Sequence, residues 1–219
     1  IEDSQYLARR ESIKNFNKNN TYLKKGLAFS PVKFGISFTT QLLNQAGALV
    51  NIYKDGSIYI NHGGTEMGQG LFIKVAQVVA NEFGVNLERV KVSATSTAKV
   101  PNTSPTAASS GSDLNGMAAR EACLRIKKNL TVFAQDFYGE GNDDIEFKDS
   151  FVTVGKKRIA FDEFVLTAYL NRVELFSNGF YKTPKIYFDA IKQKGRPFFY
   201  YSYGACISEV IVDCLTGEY

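Results

Sequence analysis

A glycine-rich segment between a predicted strand and a predicted helix constrains this chain more than any other feature. Residues 63–70 read GGTEMGQG and hold four glycines in eight positions. Residues 57–61 alternate as a strand does, and residues 71–83 carry apolar side chains at helical spacing before Gly84, which predicts a left-handed C-cap. Glycines let backbone N–H groups approach a bound group at a helix N-terminus, where the helix dipole favours anions. The segment therefore predicts a ligand-binding loop.

A second loop, rich in Ser, Thr and Asn, covers residues 96–104 and precedes a second predicted helix. Ser104 suits its N-cap and Pro105 its first position. Apolar residues then recur at helical spacing at Ala119, Cys123, Ile126, Leu130, Phe133 and Phe137. Nearer the N-terminus the same face holds small and polar residues, namely Gly116, Asn115, Ser112 and Ala108. A polar ligand and a close helix–helix crossing explain this change equally well.

The remaining segments predict both strands and helices, which makes the fold class α+β, with mixed sheets and packed helices. Asp55-Gly56 between two alternating runs predicts a hairpin. Residues 198–213 are apolar on both alternating faces, which predicts a central strand. Further strands are predicted over residues 26–29, 33–40, 90–95, 143–147, 151–154 and 173–181, and helices over 2–19 and 161–170.

Composition narrows the class of protein. The 26 basic and 22 acidic residues are spread along the 219-residue chain, so its net charge of +4 favours a mixed surface over a nucleic-acid partner. Three scattered cysteines and one histidine make no recognisable zinc set. The sequence shows neither a signal peptide nor an apolar run of membrane-spanning length. These features predict a reduced, cytoplasmic protein without a membrane partner.

The two ends of the sequence lead us to expect a piece of a longer polypeptide. The chain begins at Ile1 and ends in residues 215–219, a hairpin turn whose return strand has barely begun. An unpaired strand there would leave an exposed sheet edge. We expect residues 1–219 to be a fragment of one domain, with possible lobes over 24–140 and 141–219.

Several common chemistries do not match the glycine-rich segment. A phosphate-binding P-loop closes with Lys-Ser/Thr, and a dinucleotide fold needs a spaced glycine triplet with an acid after the next strand. Here the loop closes with Gln69-Gly70, and the next strand ends in Thr95. His62 has no accompanying nucleophile motif and is predicted to be structural. Glu66 alone is weak evidence for a general acid or base.

Six motifs in order along the chain resemble the molybdenum-binding part of the xanthine dehydrogenase and xanthine oxidase family. They are KFGISFT (33–39), LNQAGAL (43–49), GGTEMGQG (63–70), VPNTSPTAAS (100–109), GFYKTP (179–184) and SEVIVDCLTG (208–217). The resemblance covers essentially the whole chain. Residues 198–203 and the lack of long insertions resemble the separate large subunit of the bacterial enzymes more than the single-chain animal form.

The resemblance implies a molybdenum hydroxylase that oxidises hypoxanthine and xanthine toward urate. In that family a pterin-bound molybdenum carries the hydroxide that attacks an electron-poor ring carbon, while hydride passes to a sulfido ligand. Electrons then leave through 2Fe-2S clusters and FAD to NAD, on other parts or subunits of the enzyme. The implied partners are a purine substrate, the remaining segments of the molybdenum subunit and an iron–sulfur/FAD subunit or domain, in an oligomer.

The resemblance also assigns site residues by matching positions. It places Phe38 and Thr39 in the substrate pocket, although composition alone makes Phe38 an ordinary core residue. The residues that it places along the pterin cofactor are Met67, Gly68, Gln69, Thr106, Ala107, Ala108 and Ser109. A polar, anionic pterin suits glycine amides and the small, polar start of a helix.

The same resemblance places the family's catalytic glutamate, a second phenylalanine and an arginine near the metal outside residues 1–219. We therefore expect no catalytic residue and no metal ligand in this chain, and no activity from the chain alone. Two alternatives stay open. One is an aldehyde-oxidising molybdenum hydroxylase, and the other is a non-catalytic relic that binds the cofactor or assists assembly.

Overall fold

Two units make up the computed structural model, which describes residues 2–100, 102–139 and 144–219. One unit combines Ile1–Gly35 with Tyr200–Tyr219, and the other covers Ile36–Phe199. The helices are α1 (Tyr6–Asn19), α2 (Leu71–Phe83), α3 (Gly111–Tyr138) and α4 (Phe161–Leu170). The strands are β1 (Leu23–Ile36), β2 (Gln45–Ile52), β3 (Ile58–His62), β4 (Val90–Val92), β5 (Ile145–Lys148), β6 (Phe151–Val154), β7 (Lys157–Ala160), β8 (Phe176–Lys182), β9 (Tyr187–Asp189), β10 (Lys194–Arg196) and β11 (Tyr200–Asp213).

The smaller unit is a two-stranded sheet of β1 and β11 together with α1. Glu209 of β11 bonds to Arg9 of α1 at 2.7 Å and to Lys25 of β1 at 3.4 Å. The hydrogen bond from Arg9 is the largest cause that lowers the pKa of Glu209. Ile13 is the only residue of α1 that is buried.

The prediction of a central strand over residues 198–213 is wrong. Among the described residues β11 pairs with β1 alone, and most of its side chains are exposed. The apolar side chains on its two faces lie at an uncovered surface, and alternation by itself does not distinguish that case from a sheet interior. Two predicted strands over 26–29 and 33–40 are one continuous strand, which ends at Ile36.

The larger unit is built on a four-stranded sheet with the order β4-β3-β2-β8. The β2–β3 and β2–β8 pairs are antiparallel, and β3 and β4 are parallel. The strand–helix–strand prediction is thus confirmed, because α2 connects β3 to β4. Gly84 ends α2 with φ 60°, the predicted left-handed cap. Gly56, with φ 77°, turns the predicted hairpin.

Helix α3 packs on β2, β8 and α2, and its central residues are fully buried. Its backbone comes so close to β8 that a Cβ added at Gly179 would lie 2.0 Å from the Ala118 carbonyl oxygen. The small residues of α3 therefore allow a close approach between a helix and a strand. Of the predicted apolar stripe, only the last member, Phe137, is exposed.

A three-stranded antiparallel sheet of β5, β6 and β7 leads into α4. The strands predicted over residues 143–147 and 151–154 are confirmed as β5 and β6, while Asp143 lies outside the described residues. Phe161 and Phe164 of α4 are completely buried in the same hydrophobic core as α2 and α3. The boundary of the proposed lobes, between 140 and 141, also lies outside the described residues and stays a prediction.

Helix α3 begins at Gly111, so the prediction that it starts at Ser104 and Pro105 is wrong. Residues 105–110 form turns instead, and both Ala108 and Ser109 have φ 53°, a left-handed conformation that an α-helix excludes. No helix in the part of the chain that the structure describes is long and apolar enough to cross a membrane.

Candidate functional site

The glycine-rich loop before α2 is organised by Glu66. Its Oε1 accepts hydrogen bonds from the backbone N–H groups of Gly68 at 2.9 Å and Gly70 at 3.0 Å. Its Oε2 accepts one from the N–H of Phe72 at 3.0 Å. These bonds, that of Phe72 above all, lower the pKa of Glu66. The anion at the N-terminus of α2 is therefore supplied by the chain itself.

Side-chain hydrogen bonds tie this loop to the loop before α3. Thr106 Oγ1 accepts the N–H of Thr65 at 2.8 Å, and Thr95 Oγ1 donates to the Gly64 carbonyl at 2.7 Å. Gln69 stiffens the first loop, because its Nε2 donates to the Thr65 carbonyl at 2.8 Å and its Oε1 accepts the N–H of Met67 at 2.6 Å. The two loops thus form one hydrogen-bonded unit.

The start of α3 differs from the start of α2. The N-cap residue Ser110 makes no side-chain capping hydrogen bond. A helix leaves its first N–H groups without intrahelical acceptors, and here they follow two left-handed residues, Ala108 and Ser109. Successive N–H groups in such a turn form a concavity that suits an anion. The start of α3 has no side-chain cap from Ser110, but its first turn carries an acidic residue of its own, Asp113.

The two loops and the starts of both helices enclose a cavity of about 440 Å³. That volume lies within the range of small-molecule sites in proteins. Its lining residues are Met67, Gln69, Leu71, Lys74, Thr106, Ala107, Ala108, Ser109, Gly111 and Ser112. Lys74 is the charged residue of this lining, and its Nζ donates to the Gln69 carbonyl at 3.0 Å. The cavity therefore offers polar, cationic and small apolar surface together.

Six of the seven residues that the sequence assigns to a cofactor line this one cavity. The seventh, Gly68, does not line it. With φ +94° and open space around its Cα, Gly68 lets the loop turn between Met67 and Gln69. The structure thus brings together two segments that lie about forty residues apart in the sequence, and their role toward a cofactor stays a prediction.

A family comparison decides what kind of domain contains this cavity. The model of the molybdopterin cofactor-binding domain matches residues 1–219. The chain belongs to the molybdopterin cofactor-binding domain family. The membership confirms the resemblance found in the motifs and the α+β fold with mixed sheets and packed helices.

Curated relatives of this molybdopterin-binding domain are xanthine dehydrogenases. It is 45% identical over 214 residues to xanthine dehydrogenase of Oryza sativa subsp. japonica, covering 98% of this chain and 14% of the relative. It is 44% identical over 219 residues to xanthine dehydrogenase/oxidase of Gallus gallus, covering 100% of this chain and 15% of the relative. The chain therefore spans about one-seventh of the length of the curated relatives it matches.

Solved structures share the fold of the domain at lower identity. Quinoline 2-oxidoreductase from Pseudomonas putida 86 aligns with a TM-score of 0.78 and 21% identity, over 99% of this chain and 28% of that one. Aldehyde oxidoreductase from Desulfovibrio gigas aligns with a TM-score of 0.68 and 22% identity, over 99% of this chain and 21% of that one. At these identities the likeness concerns the fold alone.

The cavity of the molybdopterin-binding domain fits a pterin cofactor in its chemistry. The first-turn N–H groups of α3 and Lys74 suit anionic oxygens, and the Gln69 side chain can exchange its hydrogen bonds for those of a heterocycle. Lys74 was missed by sequence reasoning. The sequence could have indicated it, because a cation near the N-terminus of a helix is unfavourable with respect to the helix dipole and is therefore unusual there.

Three buried side-chain polar atoms in the described part of the molybdopterin-binding domain have no hydrogen-bond partner, namely Nε2 of His62, Oδ1 of Asn115 and Oγ of Ser150. His62 Nδ1 accepts the N–H of Gly64 at 3.1 Å. Burial lowers the pKa of His62 to about 4, because an imidazolium loses its hydration there. His62 is thus a neutral imidazole beside the glycine-rich loop, and only one of its two ring nitrogens is hydrogen-bonded among the described residues.

The two predicted substrate residues lie apart from this lining. Phe38 is half-buried and Thr39 is exposed, in the segment between β1 and β2. Neither residue lines the cavity formed by the two loops. Phe38 lies two residues beyond the end of β1 and is therefore in a loop, although the sequence places it within a strand over 33–40.

Proposed function

We propose that this domain is part of the molybdenum subunit of a purine hydroxylase that oxidises hypoxanthine and xanthine toward urate. The observation that carries the proposal is the cavity in which Gln69 and residues 106–109 meet. Identities of 44–45% to xanthine dehydrogenases over nearly the whole chain support the purine assignment. The aldehyde-oxidising alternative is supported by the fold alone.

Each residue of the proposed site has a task set by its chemistry. The loop of Met67, Gly68 and Gln69 covers one side of the pterin, and residues 106–109 with the start of α3 bind its polar groups. Lys74 provides a positive charge at the same cavity. Phe38 presents an aromatic face to the purine, and Thr39 a hydroxyl. The bound cofactor supplies the hydroxylation chemistry.

The remaining parts of the enzyme lie elsewhere in this proposal. A chain that spans one-seventh of its relatives leaves room for 2Fe-2S and FAD modules and for NAD as an electron acceptor. We propose that they belong to other segments or to a separate subunit, in an oligomeric and cytoplasmic enzyme. The separate large subunit of the bacterial type stays a prediction, and the relatives named above are eukaryotic.

The cofactor assignment is tested by Ser109→Leu in the full-length enzyme. Leucine would fill the cavity beside the start of α3 and remove a hydroxyl. We expect the molybdenum and pterin content to fall with an unchanged circular-dichroism spectrum. Thr97→Leu is the matched control, because Thr97 is exposed in the same loop and does not line the cavity. Normal cofactor content in Ser109→Leu would contradict the assignment.

The substrate assignment is tested by comparing purines with aldehydes. The proposal predicts a higher kcat/KM for hypoxanthine and xanthine than for aromatic and aliphatic aldehydes. A preference for aldehydes would establish the alternative hydroxylase. A protein that binds the cofactor and oxidises neither class would be a binding or assembly relic.

A further inference from the structure

Asn44 holds the backbone of Phe38 at two points. Its side chain is almost completely buried, with 2% of its surface exposed. Oδ1 accepts the N–H of Phe38 at 2.8 Å, and Nδ2 donates to the carbonyl of Phe38 at 2.9 Å. The side-chain amide of Asn44 thus binds both the N–H and the carbonyl of Phe38, as a neighbouring strand would in a sheet. Longer contacts of 3.4 Å join Nδ2 to the carbonyls of Thr40 and Gln41.

Phe38 needs this support because it has left the sheet. β1 ends at Ile36, and Ser37 has φ 141°, in a region that side chains rarely adopt. Ser37 Oγ contacts the carbonyl oxygen of Ile36 and, at 3.3 Å, that of Pro197, which anchors the segment on one side of Phe38. Asn44 anchors it on the other side, so the position of Phe38 is fixed by side-chain hydrogen bonds.

The dipeptide Asn44-Gln45 also contacts the loop that lines the cavity. Asn44 accepts the N–H of Thr183 at 3.0 Å through its own carbonyl. The next residue, Gln45, begins β2; its carbonyl accepts Ser104 Oγ at 3.0 Å, and its Oε1 accepts Asn102 Nδ2 at 3.1 Å. A continuous set of contacts therefore runs from Phe38 through Asn44 and Gln45 to the loop that contains Thr106.

We propose that Asn44 is a positioning residue that fixes the ring of Phe38 relative to the cofactor loop, and so orients a planar aromatic substrate at the reacting centre. The inference rests on the proposed function, in which Phe38 contacts the purine. It gives Asn44 a task, whereas Ala46 and Ala48 of the same LNQAGAL motif belong to the hydrophobic core. Asn44 acts through Phe38 and does not itself touch substrate.

A double-mutant cycle in the full-length enzyme tests the proposal. Asn44→Ala releases the Phe38 backbone, and we expect kcat/KM for xanthine to fall about tenfold, since loss of orientation at a reacting centre costs rate. In a Phe38→Ala background the same change should have little further effect, because the residue through which Asn44 acts has been removed. Hydrogen exchange at residues 38–41 should become faster in Asn44→Ala.

Gln41→Ala is the matched control. Gln41 lies in the same segment, and its Nε2 donates to the Ile186 carbonyl at 2.9 Å rather than to the backbone of Phe38. We expect near-normal kcat/KM from this variant. If Asn44→Ala does not accumulate as folded protein, Asn44→Asp replaces it, since that side chain keeps an acceptor for the Phe38 N–H and loses the donor to its carbonyl.

The outcomes separate this inference from the proposed function. Additive losses in the double variant, or normal kcat/KM in both Asn44→Ala and Asn44→Asp, would overturn the role of Asn44. A normal kcat/KM in Phe38→Ala would overturn the substrate-binding role of Phe38, and with it this inference. A parallel fall of molybdenum content and activity in Asn44→Ala would make Asn44 a structural residue of the cofactor site.

Discussion

The carboxylate of Glu66 accepts the backbone N–H of Phe72 at 3.0 Å and closes the first turn of α2 with an anion from the chain itself. Gly70 donates to the same side chain at 3.0 Å, so the glycine-rich loop folds back on its own acid. The glycines therefore allow the loop to turn back onto Glu66, and they do not leave an exposed anion site before α2. The start of α3, across the cavity, has no side-chain cap from Ser110 and carries Asp113 in its first turn.

Replacing Glu66 should loosen this loop. Glu66→Ala removes three backbone hydrogen bonds, and we expect a lower thermal midpoint and faster hydrogen exchange over residues 68–72. Glu66→Gln, which keeps an acceptor oxygen, should show smaller changes. Since the pKa of Glu66 is lowered on folding, its stabilisation is present above the ordinary value of 4.5 and is lost as the pH falls below it. Equal behaviour of the alanine variant and the parent would disprove the capping role.

Because the sequence has a single histidine, the effect of its titration on the free energy of unfolding can be measured directly. Its pKa is about 4 in the folded chain against 6.5 ordinarily, so the unfolded chain binds a proton that the folded chain excludes between those values. The contribution of His62 to the free energy of unfolding is therefore complete above pH 6.5 and is lost as the pH drops toward 4. For a pKa shift of this size the loss is about 3 kcal/mol.

Proton NMR of the one imidazole in the 219-residue chain, with urea unfolding at several pH values, measures both quantities. His62→Asn keeps an acceptor near the position of Nδ1 for the Gly64 N–H and cannot titrate in this range. That variant should lose the slope of the unfolding free energy between pH 6.5 and 4.5, where Glu66 still stabilises the fold in full. An imidazole that titrates near 6.5 would show that His62 is solvated.

Gly179 tests the close approach of α3 to β8. A Cβ there would meet the Ala118 carbonyl oxygen at 2.0 Å and the Ala122 nitrogen at 2.5 Å, and both atoms belong to the helix backbone. We expect Gly179→Ala to lower the free energy of unfolding by about 3 kcal/mol or more, since overpacking against backbone relaxes poorly. Gly204→Ala is the control, because its Cβ would meet only Val32, at 3.8 Å. Similar thermal midpoints for the two variants would refute the close contact.

Local sequence signals correctly predicted the helices and turns in which contacts with distant residues do not change the local preference. The apolar period of α2 and the position of Gly84 agree with the structure, and so do the Asp55-Gly56 turn and α4. Gln69 and residues 106–109 line one cavity, because both segments precede helices that pack together, and their role toward a cofactor stays a prediction. Periodicity and turn chemistry are sufficient in these cases.

Contacts between distant residues explain what the sequence did not reveal. Ser104-Pro105 is a good helix start by itself, but Thr106 bonds to the N–H of Thr65, and the left-handed Ala108 delays α3 to Gly111. Nothing local to Asn44 indicates that it binds Phe38, since the bond depends on how the chain returns after β1. Lys74 is likewise placed at the cavity by the loop before it.

Phe38→Ala distinguishes a substrate contact from ordinary core. A buried phenylalanine costs roughly 3–5 kcal/mol when truncated, whereas Phe38 is only half-buried, so we expect a smaller loss of stability. We expect near-normal molybdenum content and kcat/KM for xanthine at least about tenfold lower, a barrier change of about 1.4 kcal/mol. Phe34→Ala, at a 48% exposed position in the same motif, is the control. If Phe38→Ala unfolds and loses its cofactor, Phe38 is a structural core residue and not a substrate contact.

We expect the pterin cofactor to bind in the cavity between the two loops. The most direct measurement is an experimental structure of the full-length, cofactor-loaded enzyme. We predict pterin density in the cavity, within hydrogen-bonding distance of Gln69 and of the backbone of residues 107–109. Pterin density at another site, with none of these residues in contact, would contradict the account.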